Sequence, residues 1–401
     1  MVVGALSQYV FGEAQIRLSL AAVAALTPLV RANARDDPET LVRLLKLETN
    51  LAFDEGRYDD IEKPAREALE LATRTLGVRH PLTVMVSSLL AEKFVITGPA
   101  DEALRESERG LDFALAAYGS RSGHPHVIRI REVRSRALAM AGRFHEAIAE
   151  ADKVIEAART AFGPRSAMAA YAMINIAPYD RRVGALRRSL ERTNVGLEML
   201  AERIDPRSRD YAVSLTTRAA TLLEARRPAE ALDDLTKAEG VMREILGESH
   251  WDTITARFNR AVALAYLRRF AEAEQALAPA REPAFTPAFP WWVAYMEGIV
   301  ARLAGDYGRA AERLREAERL ITAPGPRGAS DRARTFAKLG PALLELGDLD
   351  AAKQTLLQAR ALFEQLAVEM HPAYADVMVA LGRIEMSRGN LDRALSLLVP
   401  A

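Results

Sequence analysis

Gly347-Asp-Leu-Asp-Ala-Ala352 and Gly389-Asn-Leu-Asp-Arg-Ala394 are one phrase written twice: a turn residue, a polar residue, a large apolar residue, two more, then a small one. It returns as Gly305-Asp-Tyr-Gly-Arg-Ala310, Gly142-Arg-Phe-His-Glu-Ala147 and Gly56-Arg-Tyr-Asp-Asp-Ile61, with weaker copies starting at Gly98, Gly184, Arg226 and Arg268. The starts are separated by 42, 44, 42, 42, 42, 37, 42 and 42 residues, a register that chance does not hold over eight intervals. Self-similarity at a fixed period of this length marks stacked supersecondary units, none of which can bury its apolar face alone.

The phrase has neighbours at fixed distances. Seven residues before the turn stand Thr49, Ala91, Ser135, Ala177, Ala219, Ala261, Gly298, Gly340 and Gly382, all small. Five residues after it, eight of nine are small, from Ala103 to Ala394, with Ile61 the exception. Small side chains at fixed places allow two helices to cross at close range. Each unit therefore reads as helix A, a tight turn, helix B and a loop. In the first complete helix B, Ile61, Ala65, Ala68, Leu69, Ala72 and Leu76 fall at helical spacing, Gly77 supplies a C-cap and Pro81 opens the next unit. The fold class is all-α: about nine helix-turn-helix repeats over 38–401, preceded at 1–37 by an N-terminal helix or partial capping repeat. The repeat around 168–206 is weak, and 281–290 is an irregular junction with Pro283, Pro287 and Pro290. Pro178, inside helix A of the weak repeat, is expected to kink or end that helix. A change of superhelix curvature is expected at one or both places.

Composition agrees. The chain has 401 residues, too many for one compact core, and is 49% hydrophobic with 6% aromatics, as stacked amphipathic helices are. The formal net charge is zero, so no overall field draws nucleic acid or an anionic membrane. Cysteine is absent, which excludes disulfides, thiolate chemistry and Cys-ligated metal sites. Leu18 to Val30 is an apolar run of 13 residues, too short to span a bilayer. It precedes Ala32-Asn33-Ala34, which imitates a signal-peptide cleavage site, but a leading helix is the favoured reading and a cytoplasmic protein the expectation.

The pattern resembles the tetratricopeptide repeat (TPR) in its small residue in helix A, turn Gly, aromatic residue and Ala in helix B. The 42-residue unit is similar to the kinesin light chain repeat, whose helix B ends in Leu-Gly before a His-Pro loop. Here that signature stands as Leu76-Gly77-Val78-Arg79-His80-Pro81, with echoes at His124-Pro125, Leu246-Gly247-Glu248-Ser249-His250 and His371-Pro372. The resemblance implies a right-handed superhelix whose concave groove, lined mainly by A helices, binds an extended peptide or a partner's helix. The paired asparagines that kinesin light chains carry in their A helices survive only as Asn175 and Asn259.

Residues two, three, six, ten and thirteen before each turn residue should face the groove. Among these, Phe258, Tyr266, Trp292 and Tyr295, together with Tyr171, form a candidate aromatic patch, since aromatics bury much area with few rotors, and Asn259 is a further partner-binding candidate. Arg43, Arg129, Arg136 and Arg181, with Lys46 and Arg182, form a candidate cationic row able to clamp a carboxylate or acidic peptide. A solvated face paired with Asp54, Glu92 and Glu132 competes with that reading. The histidines at 80, 124, 250 and 371 occupy equivalent loop positions and point to a structural role. Carboxylate pairs such as Asp59-Asp60 and Asp233-Asp234 are read as solvated faces. No nucleophile–base pairing, phosphate loop or metalloprotease motif is present, so no catalytic residue, cofactor or metal is assigned. The expected function is a non-catalytic scaffold for a protein or peptide partner in a bacterial regulatory system. The alternatives are a receptor for a small peptide signal, or the sensor module of a larger kinase or transcription regulator. The apolar end Leu397-Leu398-Val399-Pro400-Ala401 suggests self-association.

Overall fold

The computed structural model of the chain describes residues 13–33, 35–54, 57–119, 123–281, 290–323, 325–368 and 370–398. Among them stand 19 α-helices and no strand. The chain divides into two compact units, Met1–Pro164 and Arg165–Ala401.

The first unit opens with α1 (Glu13–Ala32) and continues with three hairpins: α2 and α3 (Pro38–Asp54, Glu62–Thr75), α4 and α5 (Pro81–Thr97, Ala100–Tyr118), and α6 and α7 (Pro125–Met140, Phe144–Phe162). The apolar run lies within α1, whose Val23 packs against Leu44, Leu47 and Leu51. The second unit has six hairpins: α8 and α9 (Ala167–Arg182, Leu186–Ala201), α10 and α11 (Arg209–Glu224, Pro228–Leu246), α12 and α13 (Trp251–Tyr266, Phe270–Leu277), α14 and α15 (Pro290–Leu303, Tyr307–Leu320), α16 and α17 (Gly325–Glu345, Leu349–Gln365), and α18 and α19 (Pro372–Ser387, Leu391–Leu398).

The two rows of small residues are the contact points of these hairpins, and every one of the eighteen is buried. A Cβ on Gly340 would stand 2.5 Å from the Leu356 side chain, so helix B reaches into space that only glycine leaves open. In two hairpins a serine links the rows: Ser135 Oγ donates to the Ala147 carbonyl at 2.8 Å, and Ser189 Oγ to the Ala177 carbonyl at 2.9 Å. The turn residues adopt left-handed backbone from Gly142 onward, including two that are not glycine, Arg226 (φ 59°) and Arg268 (φ 61°).

The repeated loop histidine is a helix cap. In His80, His124, His250 and His371 the ring Nδ1 accepts a hydrogen bond from the backbone N–H two residues on, at 3.1 to 3.3 Å. Three of the four precede a proline at the first helical position, where no N–H is needed.

Two expectations are corrected. Of the two outcomes expected at Pro178, a kink or an end, the end does not occur, because the helix runs on to Arg182. Only one backbone hydrogen bond is forgone, and buried Ile174, Ile176 and Ala177 hold the segment against its neighbours. Asp234 is not on a solvated face: it is 4% exposed and accepts two hydrogen bonds from Arg218, at 2.6 and 2.7 Å. Its place, eight residues after the turn, is also that of Glu106 and Glu150, both buried and ion-paired with arginine. Asp234 and Glu150 pair with the preceding helix A, and Glu106 with the preceding helix B, so a carboxylate in this register is a junction group. Asp59 and Asp60 are exposed, as expected. The turn glycine Gly56, Pro283 and Pro287, and Val399 to Ala401 lie outside the described residues.

Candidate functional site

The second unit encloses a cavity of about 480 Å³. Its walls come almost wholly from first helices of hairpins: the end of α8, the length of α10 and α12, α14, and the N-terminal halves of α16 and α18. Repeats of a solenoid ordinarily touch only their neighbours. Here the array bends far enough for distant repeats to meet around the cavity. Arg182 Nη1 donates to Ser330 Oγ, His371 Nε2 stands 3.4 Å from Glu224 Oε2, and Arg226 Nη2 stands 3.2 Å from Asp376 Oδ2. At Gly184 the chains pass so closely that a Cβ would lie 1.9 Å from the Met370 carbonyl oxygen.

One wall is aromatic. The chain has three tryptophans, and Trp251, Trp291 and Trp292 all line the cavity with Tyr266 and Tyr295. Trp292 meets Trp251 edge-on at 5.3 Å between centroids and Trp291 tilts against Tyr295 at 6.2 Å. Phe258 lies behind, fully buried and stacked on Trp292 at 5.8 Å. Asn259, one residue on, lines the cavity while its amide donates to the Thr255 carbonyl at 2.9 Å.

The charged lining adjoins it, with Arg226 against Tyr266 and Arg334 against Tyr295. Burial alone would push the Glu224 carboxyl up, but Arg181, His371 and Arg334 around it hold it well below the usual carboxylate range. Arg181 supplies the direct hydrogen bond to Glu224 Oε1. Burial lowers the pKa of His371, a tendency that Glu224 opposes. With Nδ1 accepting the cap bond, the neutral ring carries its proton on Nε2, toward Glu224. Burial, with Arg334 and Arg181 nearby, pushes Arg182 down to about 10. Lys338 is lowered by burial, with Arg302 and Arg226 adding to it and Asp376 opposing.

The cavity thus brings together six of the twelve residues singled out in the sequence: Arg181, Arg182, Asn259, Tyr266, Trp292 and Tyr295. Tyr171 stands outside the lining, its hydroxyl donating to Asp210 Oδ2 at 3.0 Å, and burial with that carboxylate raises its pKa to about 12. Phe258 supports the wall from behind. Arg43, Arg129 and Arg136 belong to the first unit, where Arg43 pairs with Glu39 and the other two share Glu92. The competing reading, a row neutralised by nearby acids, describes these three. Residues not singled out but lining the cavity include Glu224, Arg226, Arg334, Lys338, His371 and Asp376. Among the described residues no group of three or more His, Asp or Glu is placed to hold a metal ion, and no helix is long and apolar enough to cross a membrane.

Paired antiparallel helices with small residues at each crossing and histidine-capped loops build an α-solenoid of the tetratricopeptide-repeat type. The family model for the tetratricopeptide repeat matches residues 49–82. A Rap protein complexed with competence and sporulation factor is similar in structure at a TM-score of 0.52 and 15% identity, over 87% of this chain and 99% of that one. The apo form of RapI is similar at 0.51 and 12% identity, over 88% and 99%. BtubC from P. vanneervenii is similar at 0.48 and 20% identity, over 58% and 92%. At such identities the likeness to the Rap proteins is one of fold. A search of curated proteins returns no match.

Proposed function

We infer that this repeat scaffold holds a short segment of a partner protein, or a free peptide, in the cavity of its second unit. The observation that carries the reading is the pairing of an aromatic wall with a charged wall around about 480 Å³, a volume suited to a few side chains. Aromatic residues and arginine are the usual anchors of binding surfaces. A Rap protein complexed with competence and sporulation factor on the same fold agrees with this reading. The role in a bacterial regulatory system belongs to the same proposal.

The test is selection from a displayed random heptapeptide library, using wild-type protein and a Trp292→Ala variant of equal helicity. Wild type is expected to enrich a defined motif that the variant does not. Equal enrichment by both, or none by wild type, removes the cavity from the function.

A further inference from the structure

We propose that the cavity is built for an acidic peptide, whose carboxylate docks on Arg334 and Arg327 while an apolar side chain of the same peptide rests on the tryptophan wall. This rests on the cavity being a peptide site, and adds the charge of the peptide.

Six cations line the cavity, Arg181, Arg182, Arg226, Arg327, Arg334 and Lys338, against four carboxylates. The carboxylates are already engaged. Glu224 is taken by Arg181 and His371, and Asp331 lies 3.9 Å from Arg182. Arg226 and Lys338 share Asp376. Asp252 is held at 2.7 Å by Arg209, which does not line the cavity. Arg327 and Arg334 make no ion pair among the described residues. Both are half-buried, and the Arg334 guanidinium stands 5.4 Å from the Tyr295 ring centroid. One Arg334 donor meets the Tyr295 hydroxyl, and a guanidinium, with five N–H donors, keeps others to grip a carboxylate. Glu224 and Asp331 are near enough to favour the charged form of Arg334 but pair with other cations, so an incoming carboxylate would be its first direct ion-pair partner.

A second, independent observation lies in the backbone. Arg226 occupies the turn position that glycine fills in most hairpins, and it does so in left-handed conformation, φ 59°. There the arginine adds a cation to the cavity rim and holds the Tyr266 hydroxyl at 3.0 Å. Arg268 holds the same conformation outside the cavity lining, at φ 61°, so what sets Arg226 apart is the cation it adds to the rim.

The three tryptophans make the test direct, because intrinsic emission reports on the cavity alone. Three synthetic octapeptide pools, each with one fixed phenylalanine, are titrated against the full chain: one rich in Asp and Glu, one neutral, one rich in Lys and Arg. The acidic pool is expected to perturb the emission at concentrations about tenfold lower than the neutral pool, an advantage that shrinks as NaCl rises from about 0.05 to about 0.5 M. Arg334→Gln is expected to erase the advantage. Arg327→Gln, at a site nearer the surface, is expected to halve it or more, and decides the matter if the first variant does not fold. An equal or stronger response to the neutral or basic pool overturns the charge assignment and leaves the cavity a peptide site. An inorganic phosphate response that matches the acidic pool overturns it in favour of a small-anion site. Silence from all three pools overturns both readings together.

Discussion

Arginine dominates the cations of both units, and the two units use it differently. In the first, Arg43, Arg129 and Arg136 each meet a glutamate on the same or the neighbouring helix. Such pairs form wherever adjacent hairpins set opposite charges side by side, and exposed examples contribute little. In the second unit the repeats curve onto themselves. Cations separated by about 150 residues, such as Arg182 and Lys338, thereby share one space, with fewer carboxylates than they need. On the proposed reading, an arginine becomes a binding residue only where the bend of the array leaves it without a partner from its own neighbourhood.

The contrast is broken most severely at the backbone. Gly184 and Gly77 both have left-handed φ, 79° and 86°. Around Gly77 nothing lies within 4 Å of an added Cβ, whereas at Gly184 the Met370 carbonyl blocks it. Gly77→Ala should cost about 1 kcal/mol from conformation alone. Gly184→Ala should cost more than about 2 kcal/mol, or force the closure around the cavity open. Urea unfolding followed by circular dichroism gives both costs, and a red shift of tryptophan emission reports the opening. Equal costs would mean that the closure contributes nothing to stability.

Next in size is the buried carboxylate. Glu224→Gln leaves Arg181 without its counter-charge in a half-buried setting and should cost about 2–3 kcal/mol. Glu39→Gln, which strips the exposed Arg43 pair, should cost about 0.5 kcal/mol or less. A Glu224 variant as mild as the Glu39 variant would place Glu224 among ordinary surface pairs.

The same carboxylate gives the second unit an acid response. Burial depresses His371 below its ordinary 6.5, so the folded chain takes up that proton less readily than the unfolded one. The stability this brings is present above the unfolded value and is lost as pH falls from about 6.5 toward the folded value. Glu224 is also depressed, so its contribution is present above its ordinary 4.5 and is lost below it. Unfolding followed by tryptophan emission should therefore show two losses on acidification, the first removed by His371→Asn, which keeps a capping acceptor. An unchanged first loss in that variant would assign it to another group.

Much of this was legible in the residues. The period and the two rows of small side chains specify the hairpins, because close crossing tolerates nothing larger. The spacing rule carries further than its first use. Applied to the turn at Arg226, it lands on Val213, Thr216, Ala220, Leu223 and Glu224, all of which line the cavity. Thirteen residues before Gly347 and Gly389 it lands on Arg334 and Asp376, which also line it. At the Arg268 turn it lands on Phe258, which sinks behind the wall while Asn259 takes the surface. What the spacing does not carry is the closure. Curvature is the sum of small rotations at each crossing, and a single crossing has no signature for residue 224 meeting residue 371. For the same reason His371 reads only as the fourth copy of a loop cap, although its second nitrogen faces the cavity.

The smallest effect separates the two arginines held in left-handed turns. Arg226 and Arg268 have nearly the same φ, and replacing either by glycine relieves a conformation that side chains with a Cβ resist, a gain of about 1 kcal/mol. Arg268 lies outside the cavity lining with its guanidinium 6.0 Å from the Phe270 ring, so Arg268→Gly should keep nearly all of that gain. Arg226→Gly also forgoes the contacts with Tyr266 and Asp376, which are half exposed and contribute about 0.5 kcal/mol. Its net gain should therefore be smaller, and the response of tryptophan emission to acidic peptide should weaken in this variant alone. Equal stabilisation with equal peptide response in both variants would mean that Arg226 stands in its turn for no reason connected with the cavity. Stabilisation bought with lost binding at position 226, and free of any loss at 268, would identify the strained turn as part of the binding surface.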